Sequence, residues 1–531
     1  MKHYKYREYF RNIIPCLGYG LLCGSVVGAF IFAFKLLSKL LEENVRFVYA
    51  YAYTHPLLIP FLFAGLVVCA LVMNILHKKI PEVKGGGIPR SEGILRGVLP
   101  FKWLKTLVGT FFGSLLSFFV GLPLGSEGPA VLIGTSVGGM VDNISKSKSA
   151  WGRCIMTGGA GAGFAVATGA PLSAILFTLE EIHKRISPML VLMVSTSVLV
   201  SSYVNRLLCG MFDISPNLFE FVGLRELDMA DVGYLVLLAV LVSSAVFVFD
   251  LAVELFNKLT KRFSGKLTHC VKLVIFFILT GILGLFFSDG IYSGHKVIED
   301  IITKGEAVLV LVLILAVRLV MMLLATSSGA TGGIFIPSLA IGALFSAIIS
   351  NLLVVCGMSV ELFPTFVVLG MCAFLGGTLR APITAMLFFI EITGAFGSVF
   401  YGAIVVFVVN FIIEMFDRKP FYDRVLDSME KTENKGKTLS VKYFEVKVSK
   451  GAFAIGKPVR DILWPHASVI VSIIRDGKDF SDTDNDGEKK LYEGDTLVIR
   501  ARCYDDEEMK DYLHDLVGRG HDIKVTLKQG E

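Results

Sequence analysis

The strongest constraint on the fold is a series of long apolar runs that contain no charged side chain. Four of them are Cys16–Phe34, Pro56–Leu76, Val232–Phe249 and Ala307–Val317. A membrane-spanning helix needs about 20 such residues, and several runs approach that length. Only 18% of the residues are charged, against about 25% in soluble domains. The sequence therefore predicts an all-α, multi-pass protein of the cell membrane.

Charge and cysteine usage argue against several other classes of protein. Residues 1–11 are basic and are followed by no small-residue cleavage site, so they are expected to form a cytoplasmic surface helix before the first span. The nine cysteines include no CxxC pair, and the net charge is only +5. We therefore predict neither a metal cluster nor a nucleic-acid partner. No nucleophile–base pair or phosphate loop stands out, so neither an enzyme nor a cofactor is predicted.

The apolar region contains an internal repeat. APLSAILFTLE at Ala170–Glu180 aligns with APITAMLFFIE at Ala381–Glu391, with six of eleven positions identical. GSEGPAVLIG at Gly125–Gly134 likewise aligns with GIFIPSLAIG at Gly333–Gly342. Short helices interrupted by glycine and proline at corresponding places are typical of transporters whose site lies where two repeats meet.

Such interrupted helices predict an anion pathway. Helix N-termini that point at one place present free N–H groups and the positive ends of helix dipoles, which favour an anion. Several weak N–H contacts also hold an anion less tightly than a buried lysine would, so the anion can leave again. The alternative is that these glycines only allow helices to pack closely.

Composition divides the chain into three parts. Residues 1–426 are predicted as the membrane region, in halves of about 10–215 and 230–426. Residues 427–439 are charged and are predicted as a linker. Residues 440–531 alternate apolar and polar side chains as strands do, which predicts a small α+β domain on the cytoplasmic side.

Three motifs carry a resemblance to a known family. GGGIP at Gly85–Pro89, GSEGP at Gly125–Pro129 and GGIFIP at Gly332–Pro337 occur in this order, and Tyr422 follows in KPFY. Together with the repeat, they resemble the CLC family of chloride channels and proton/chloride antiporters. The resemblance implies a homodimer in the bilayer. Each subunit would have its own anion pathway, built from two inverted halves of short tilted helices.

The resemblance also implies a set of anion-binding residues. They are Gly85, Gly86, Ser126, Gly128, Ile334, Phe335, Ile336 and Tyr422. Amides of Ile334 and Phe335 and the Tyr422 hydroxyl would hold a central anion, and the loop around Ser126 would serve an outer site. Gly86 stands where the family has a serine that contacts the anion. Chloride is therefore expected, but anion selectivity stays open.

Two carboxyls of the membrane region are predicted to carry protons. Glu127 resembles the family's gating glutamate, which competes for an anion site when ionised and leaves it when protonated; the alternative is a local helix cap. Glu181 resembles the family's internal proton glutamate. The alternative there is a surface helix end where Glu180 and Glu181 pair with basic neighbours. An acid at this position favours an antiporter over a channel.

The tail resembles RCK C-terminal (TrkA-C) domains, mainly through YEGDTLVI. Strands are predicted in VKYFEVKVS, SVIVSIIRDG and DTLVIRARC, with a short helix at Gly456–Leu463 and an amphipathic helix in DEEMKDYLHDLVG. The resemblance implies a dimerising regulatory domain for a small ligand, of which cyclic di-AMP is one known for the class. The alternative is a dimerisation module that binds nothing.

One loop of the tail has the residue spacing of a calcium site. DTDNDGEKKLYE satisfies the EF-hand pattern through Asp482, Asp484, Asp486, Gly487 and Glu493. An EF-hand loop needs a helix on each side, whereas both flanks here are predicted as strands. An acidic surface hairpin is therefore preferred, and no metal is predicted.

The sequence as a whole predicts a secondary transporter that exchanges chloride for protons without a cofactor. A passive chloride channel is the nearest alternative. Two others are a transporter of organic anions that merely shares the tail, and a membrane-bound sensor whose active part is the tail.

Overall fold

The structure of the protein is a computed structural model. It describes residues 2–145, 149–184, 186–221, 223–263, 268–465, 468–480 and 486–527. The side chains of residues 2–12, 149–150, 261–263, 486 and 527 lie outside the description.

Eight helices form the first part of the chain. They are α1 (Lys2–Thr54), α2 (Ile59–Lys79), α3 (Gly87–Arg96), α4 (Trp103–Val120), α5 (Glu127–Ser145), α6 (Ser149–Thr168), α7 (Pro171–Phe177) and α8 (Pro188–Phe212). A π-helical turn, Thr178–His183, extends α7. The basic N-terminal segment is continuous with the first span, since α1 is a single helix of 53 residues.

Nine helices form the second part. They are α9 (Val232–Phe263), α10 (His269–Phe286), α11 (His295–Lys304), α12 (Val308–Ser328), α13 (Phe335–Val355), α14 (Phe363–Leu379), α15 (Pro382–Thr393), α16 (Val399–Glu414) and α17 (Phe421–Glu433). Helix α17 extends into the segment predicted as a linker. Its Glu433 carboxylate accepts a hydrogen bond from the buried Arg90 guanidinium of α3 (2.9 Å).

Ten helices of the described residues are long and apolar enough to cross a membrane, which supports the predicted multi-pass protein. Their burial differs because some face protein and others face outward. In the most apolar window of Val360–Leu379, 89% of the residues are buried, against 17% in Pro56–Lys79. Helices α13 and α14 thus form the centre of the bundle, while α2 presents an apolar surface suited to lipid.

The tail folds as a five-stranded antiparallel sheet with one helix packed on it. The strands are β1 (Ser440–Lys447), β2 (Ser468–Arg475), β3 (Lys478–Asp479), β4 (Thr496–Cys503) and β5 (Lys524–Leu527), in the order β3-β2-β4-β1-β5. Helix α18 (Asp506–Val517) follows β4. Alternate side chains of β1 and β4, such as Phe444, Leu497 and Ile499, form its core with Leu513.

One element of the tail was predicted wrongly. The segment Gly456–Leu463, predicted as a short helix, contains only the 3₁₀ turn Val459–Asp461. Its backbone is instead bonded to a neighbouring segment: the Gly456 N–H donates to the Leu491 carbonyl and the Leu491 N–H donates to the Lys457 carbonyl. These bonds to residues outside the segment replace the bonds of a helix, so the segment stays extended on either side of the 3₁₀ turn.

The tail packs against one end of the membrane helices. The Arg153 guanidinium of α6 lies 3.3 Å from the centre of the Tyr512 ring of α18. The Trp151 and Phe453 rings meet edge to face, with 5.7 Å between their centres. Cation–π and aromatic contacts of this type each stabilise a contact by about 0.5–2 kcal/mol.

Candidate functional site

Three helices of the membrane region have a proline at the same position near their start. Helices α3, α5 and α13 each have proline as their third residue, namely Pro89, Pro129 and Pro337. The N–H groups of a first helical turn have no partner inside the helix, and proline is tolerated there because it lacks one. The first two amides of each helix are therefore left to bind something outside it.

These three helix starts lie directly against one another. A Cβ atom placed on Gly87 would lie 2.0 Å from the carbonyl oxygen of Gly128, and one placed on Gly128 would lie 2.7 Å from the Cα atom of Gly333. Any side chain at either glycine would push the helix starts apart. The glycines thus serve close packing, as the alternative proposed, and also bring the helix N-termini together.

The loops before α5 and α13 are bonded to each other. The Gly125 N–H donates to the Gly333 carbonyl (2.7 Å), and the Gly333 N–H donates to the Gly125 carbonyl (2.8 Å). The two residues occupy equivalent positions of the sequence repeat. The pair fixes the distance between the two helix starts.

Aromatic side chains hold the start of α13 in place. Phe335 is buried and meets the rings of Phe164, Phe177 and Phe388 edge to face, with 5.0–6.0 Å between ring centres. Phe164 and Phe177 are themselves stacked at 4.3 Å. Packing on three sides leaves the Phe335 backbone little freedom to move.

Tyr422, the second residue of α17, brings a hydroxyl group into this region. Its side chain is fully buried, and its hydroxyl has no hydrogen-bond partner among the described residues. It interacts electrostatically with Glu181, Glu127 and Glu92. A buried hydroxyl without a partner costs about 1–3 kcal/mol, so a free donor at this place fits an anion that accepts from it.

Glu127 is the first residue of α5 and is fully buried. One carboxylate oxygen accepts a hydrogen bond from the Ser126 hydroxyl (3.0 Å), whereas the other has no partner among the described side chains and backbone groups. The carboxyl also lines a cavity of about 710 Å³ together with Ser126 and Ile336. Glu127 therefore lies between an open cavity and the helix starts.

Glu181 lies in the π-helical turn Thr178–His183 and is almost fully buried. The nearest ammonium group is that of Lys184, at 3.7 Å from its carboxylate. Lys184 also contacts the carboxylates of Glu92 of α3 (3.2 Å) and Asp423 of α17 (2.7 Å). One lysine thus joins three acids from three parts of the chain.

The sequence analysis missed this charge cluster. Glu92 has no exposed surface and is also paired with Arg96 (2.5 Å). A cavity of about 540 Å³ is lined by Glu181, Lys184 and Asp423, so the buried acid borders open space. The available signal was Glu92 itself, a charged residue three positions after the proline of GGGIP.

Glu180 has a different role from its neighbour Glu181. Its carboxylate accepts from the N–H and the hydroxyl of Thr384 (2.9 and 2.8 Å) at the start of α15. Glu391, its equivalent in the repeat, accepts from the N–H and the hydroxyl of Ser173 (2.8 and 2.6 Å) at the start of α7. Each acid caps the helix that carries the other, so the alternative of two acids paired with basic neighbours at a surface is wrong for Glu180.

In the GGGIP loop, Gly85 differs from its expected role in anion binding. The Gly85 N–H donates to the Gly329 carbonyl (2.9 Å), so this amide is already engaged. Gly86 precedes α3 with φ −74° and ψ 135°, a conformation open to any residue. A Cβ atom there would meet nothing closer than 3.7 Å. The site has room for the serine that the sequence lacks.

Comparison with known proteins places the chain in a family. Residues 68–414, more than half of the chain, match the family model described as voltage gated chloride channel. The chain belongs to this family, the CLC family. Members of this family are transporters rather than enzymes, as the sequence analysis predicted. The match ends before the tail, so the resemblance of the tail to RCK C-terminal domains stays a prediction.

Curated relatives cover most of the membrane region. The chain is 32% identical over 365 residues to a Citrobacter koseri protein named H(+)/Cl(-) exchange transporter ClcA, covering 66% of this chain and 75% of that one. A Salmonella paratyphi B protein of the same name is 31% identical over 384 residues, covering 70% and 79%.

Solved structures confirm the CLC fold. A structure described as a slow cyanobacterial Cl⁻/H⁺ antiporter superposes with a TM-score of 0.72 and 23% identity, over 79% of this chain and 99% of that one. A eukaryotic CLC transporter gives a TM-score of 0.63 and 21% identity, over 80% and 74%.

The structure does not test the calcium-site pattern of Asp482–Glu493 in the tail. Asp482 and Asp484 lie outside the described residues, as does the side chain of Asp486. In the described part of the chain, no group of three or more His, Cys, Asp or Glu side chains is arranged to hold a metal ion.

Proposed function

We propose that this protein is a secondary transporter that exchanges chloride for protons across the membrane. The names of its relatives support this function. The observation that carries it is Glu127, a buried acid with one unpartnered oxygen, placed where three helix N-termini meet. An ionised carboxylate at this place competes with an anion for the same N–H groups.

The central anion would be held mainly by backbone amides. Support comes from the start of α13, where Ile334, Phe335 and Ile336 precede a proline and the ring of Phe335 is fixed by packing. The buried Tyr422 hydroxyl supplies a further donor. Because none of these groups carries a full charge, the anion can bind and leave rapidly. The amides of Ser126 and Gly128 would form the outer site.

Exchange follows from the two states of Glu127. A proton that enters from the outer cavity neutralises the carboxyl, which then loses its attraction to the amides and makes room for the anion. The proton is passed inward, and the ionised carboxylate returns when the anion has left. Each turnover thus moves an anion and a proton in opposite directions.

The inner end of the proton route would be Glu181. The Glu181 carboxyl is almost fully buried, so a permanent unpaired charge on it would be too costly. The Lys184 ammonium group nearby lowers the cost of ionising it. The cavity beside Glu181, Lys184 and Asp423 gives protons a way to the aqueous phase. Buried acids that border open space in membrane proteins commonly belong to proton relays.

The architecture is proposed to be two inverted halves, about 10–215 and 230–426, with two chains forming a homodimer. The reciprocal bonds between Gly125 and Gly333, and the reciprocal caps of Glu180 and Glu391, support a two-fold relation between the halves. The homodimer follows from the family resemblance.

The tail, residues 440–531 after the linker 427–439, is proposed as a cytoplasmic RCK C-terminal-like domain. Its small antiparallel sheet with one amphipathic helix supports this. The basic N-terminal segment and the basic end of the α7 turn support a cytoplasmic N-terminus on the same side. Regulation by a small ligand such as cyclic di-AMP belongs to this proposal.

The decisive experiment follows both ions in liposomes that contain the purified protein. An outward chloride gradient is expected to drive protons inward against their own gradient, and Glu127→Gln is expected to abolish proton movement while anion flux persists. Anion flux without proton movement in the unaltered protein would make it a passive channel. No halide flux at all would reject transport altogether.

Gly86 offers a separate test of the anion site. Gly86→Ser fits without a close contact and adds a hydroxyl donor next to the α13 loop. We expect chloride to bind a few-fold more tightly, in keeping with the roughly 1 kcal/mol of one hydrogen bond. Isothermal titration with chloride and nitrate measures the change, and Gly86→Ala controls for the added volume. Equal affinities in the two variants would place the hydroxyl away from the anion.

A further inference from the structure

The outer cavity beside Glu127 is lined by three lysines, Lys35, Lys39 and Lys296, and the proposed mechanism uses none of them. Lys35 of α1 lines this cavity together with Ser126 and Glu127. It lies 22 residues beyond Ile13, which contacts the tail-side pocket. At 1.5 Å per residue, that is about 33 Å along α1. The cavity therefore opens on the membrane face opposite the tail.

The ammonium group of Lys35 keeps donors free. It donates one hydrogen bond, to the Pro216 carbonyl (3.1 Å), and an ammonium group has three donors. No carboxylate of the described residues lies within ion-pair distance of it, although it interacts with Glu127 over a longer distance.

The acids around the cavity are mostly engaged elsewhere. Glu42 is paired with Arg46 (3.0 Å), and Glu299 contacts the His295 ring (3.6 Å). Asp300, the acid one position further along α11, is paired with Lys304. Glu43 and Glu220 also line the cavity, but neither is in ion-pair contact with Lys35, so Lys35 is a half-buried cation without a direct carboxylate partner among the described residues.

We propose that Lys35 forms an outer capture site that binds the transported anion before it reaches Glu127. This inference rests on the proposed function and names a residue that brings the anion to the site. The loop before α5 carries the uncharged Ser126 and no basic residue. Lys35 brings a positive charge to the same cavity from α1, 91 residues earlier in the chain.

The chemistry of this position suits a small inorganic anion such as chloride or nitrate. The Pro216 carbonyl orients the ammonium group, and the open cavity keeps the anion partly hydrated. Such a site attracts anions without holding them, and raises their local concentration at the entrance.

The test compares Lys35→Gln with Lys39→Gln. Glutamine keeps a donor for the Pro216 carbonyl but removes the charge. Lys39 lines the same cavity, lies one turn further along α1 and is exposed. Lys39→Gln therefore removes the same charge from the same cavity and serves as the matched control. Membrane vesicles of both orientations, sorted by protease accessibility of the tail, allow chloride to be varied on one face at a time.

Lys35→Gln is expected to raise the KM for chloride about tenfold on the face opposite the tail, the lower end of the range for electrostatic steering. The KM on the tail face and the kcat should stay unchanged, and Lys35→Arg should restore the KM. Lys39→Gln should change it less than twofold. An unchanged KM in Lys35→Gln, or equal effects of the two glutamine variants, would overturn the capture site.

A second pair of variants separates anion capture from a simple counter-ion role. In a Glu127→Gln background the gating carboxylate is no longer there for Lys35 to balance. If Lys35→Gln still raises the KM there, Lys35 acts on the anion; if the effect disappears, it acts only on Glu127 and the inference is wrong. Proton coupling is measured in the unaltered protein, so a channel without coupling would reject the proposed exchange and leave the KM comparison decisive.

Discussion

The two acids proposed to carry protons are both buried, yet their surroundings differ. Glu127 accepts a hydrogen bond from the neighbouring Ser126 hydroxyl, has no ion-pair partner among the described residues and faces an open cavity. Glu181 lies beside Lys184, which is itself tied to Glu92 and to Asp423. A side chain with one weak partner can leave its place at little cost, whereas one inside a charge cluster is held. The comparison fits the proposal of a moving gate at Glu127 and a fixed relay at Glu181.

The largest expected effect is on the pH dependence of anion flux, which should differ between variants of Glu127 and Glu181. Glu127→Gln should make anion flux independent of pH on the face opposite the tail, because the gate can no longer be protonated. Glu181→Gln should abolish proton flux but keep that pH dependence, since Glu127 remains. Anion flux across a pH series in oriented vesicles measures both. A flat profile in the Glu181 variant would remove the distinction between gate and relay.

The next effect concerns the charge cluster. Lys184→Met should lower the free energy of unfolding by about 2–4 kcal/mol, because it leaves the buried Glu92 and Glu181 with fewer cations nearby. Lys258→Met is the control, since it breaks an exposed pair with Glu254 and should cost less than about 1 kcal/mol. Unfolding in detergent measures both. Equal losses would show that the inner acids do not depend on this lysine.

A smaller effect is expected at the acid next to Glu181. Glu180→Gln weakens the cap of α15 and should cost about 1 kcal/mol or less, as should Glu391→Gln at α7. Proton flux should persist in both variants, because both carboxylates are engaged in capping helix starts. Unfolding and proton uptake are measured side by side. Loss of proton flux in Glu180→Gln alone would show that the proton relay runs through Glu180 and not through Glu181.

The smallest effect is expected from Ser126→Ala. This change removes the hydrogen bond to ionised Glu127, worth about 1 kcal/mol. The pH at which anion flux is half maximal should therefore rise by less than one unit, with stability unchanged. Ser293→Ala, which lines the same cavity, is the control. A complete loss of pH dependence in Ser126→Ala, like that expected for Glu127→Gln, would mean that the hydroxyl, and not the carboxyl alone, sets the gate.

Much of the membrane region could be predicted from the sequence, because its features are local. Apolar runs, the prolines after Gly87 and Gly128, and the repeat all lie within short windows. The position of Glu127 at a helix start follows from the same motif. The family match over residues 68–414 confirms the predicted family of the membrane region.

The charge partners could not be predicted, because they come from distant parts of the chain. Lys184 reaches Glu92 across about 90 residues and Asp423 across about 240. Lys35 approaches the loop of Glu127 from α1. In the tail, the helix expected at Gly456–Leu463 was wrong because its backbone is bonded to a segment more than 30 residues later.

The mutual bonding of Gly125 and Gly333 limits how this protein can work. Many carriers open alternately to each side by rocking one bundle of helices against another. Here such a swing would have to break two peptide–peptide hydrogen bonds between buried residues of the two halves. We therefore expect access to switch through rotation of single side chains within a frame that stays still.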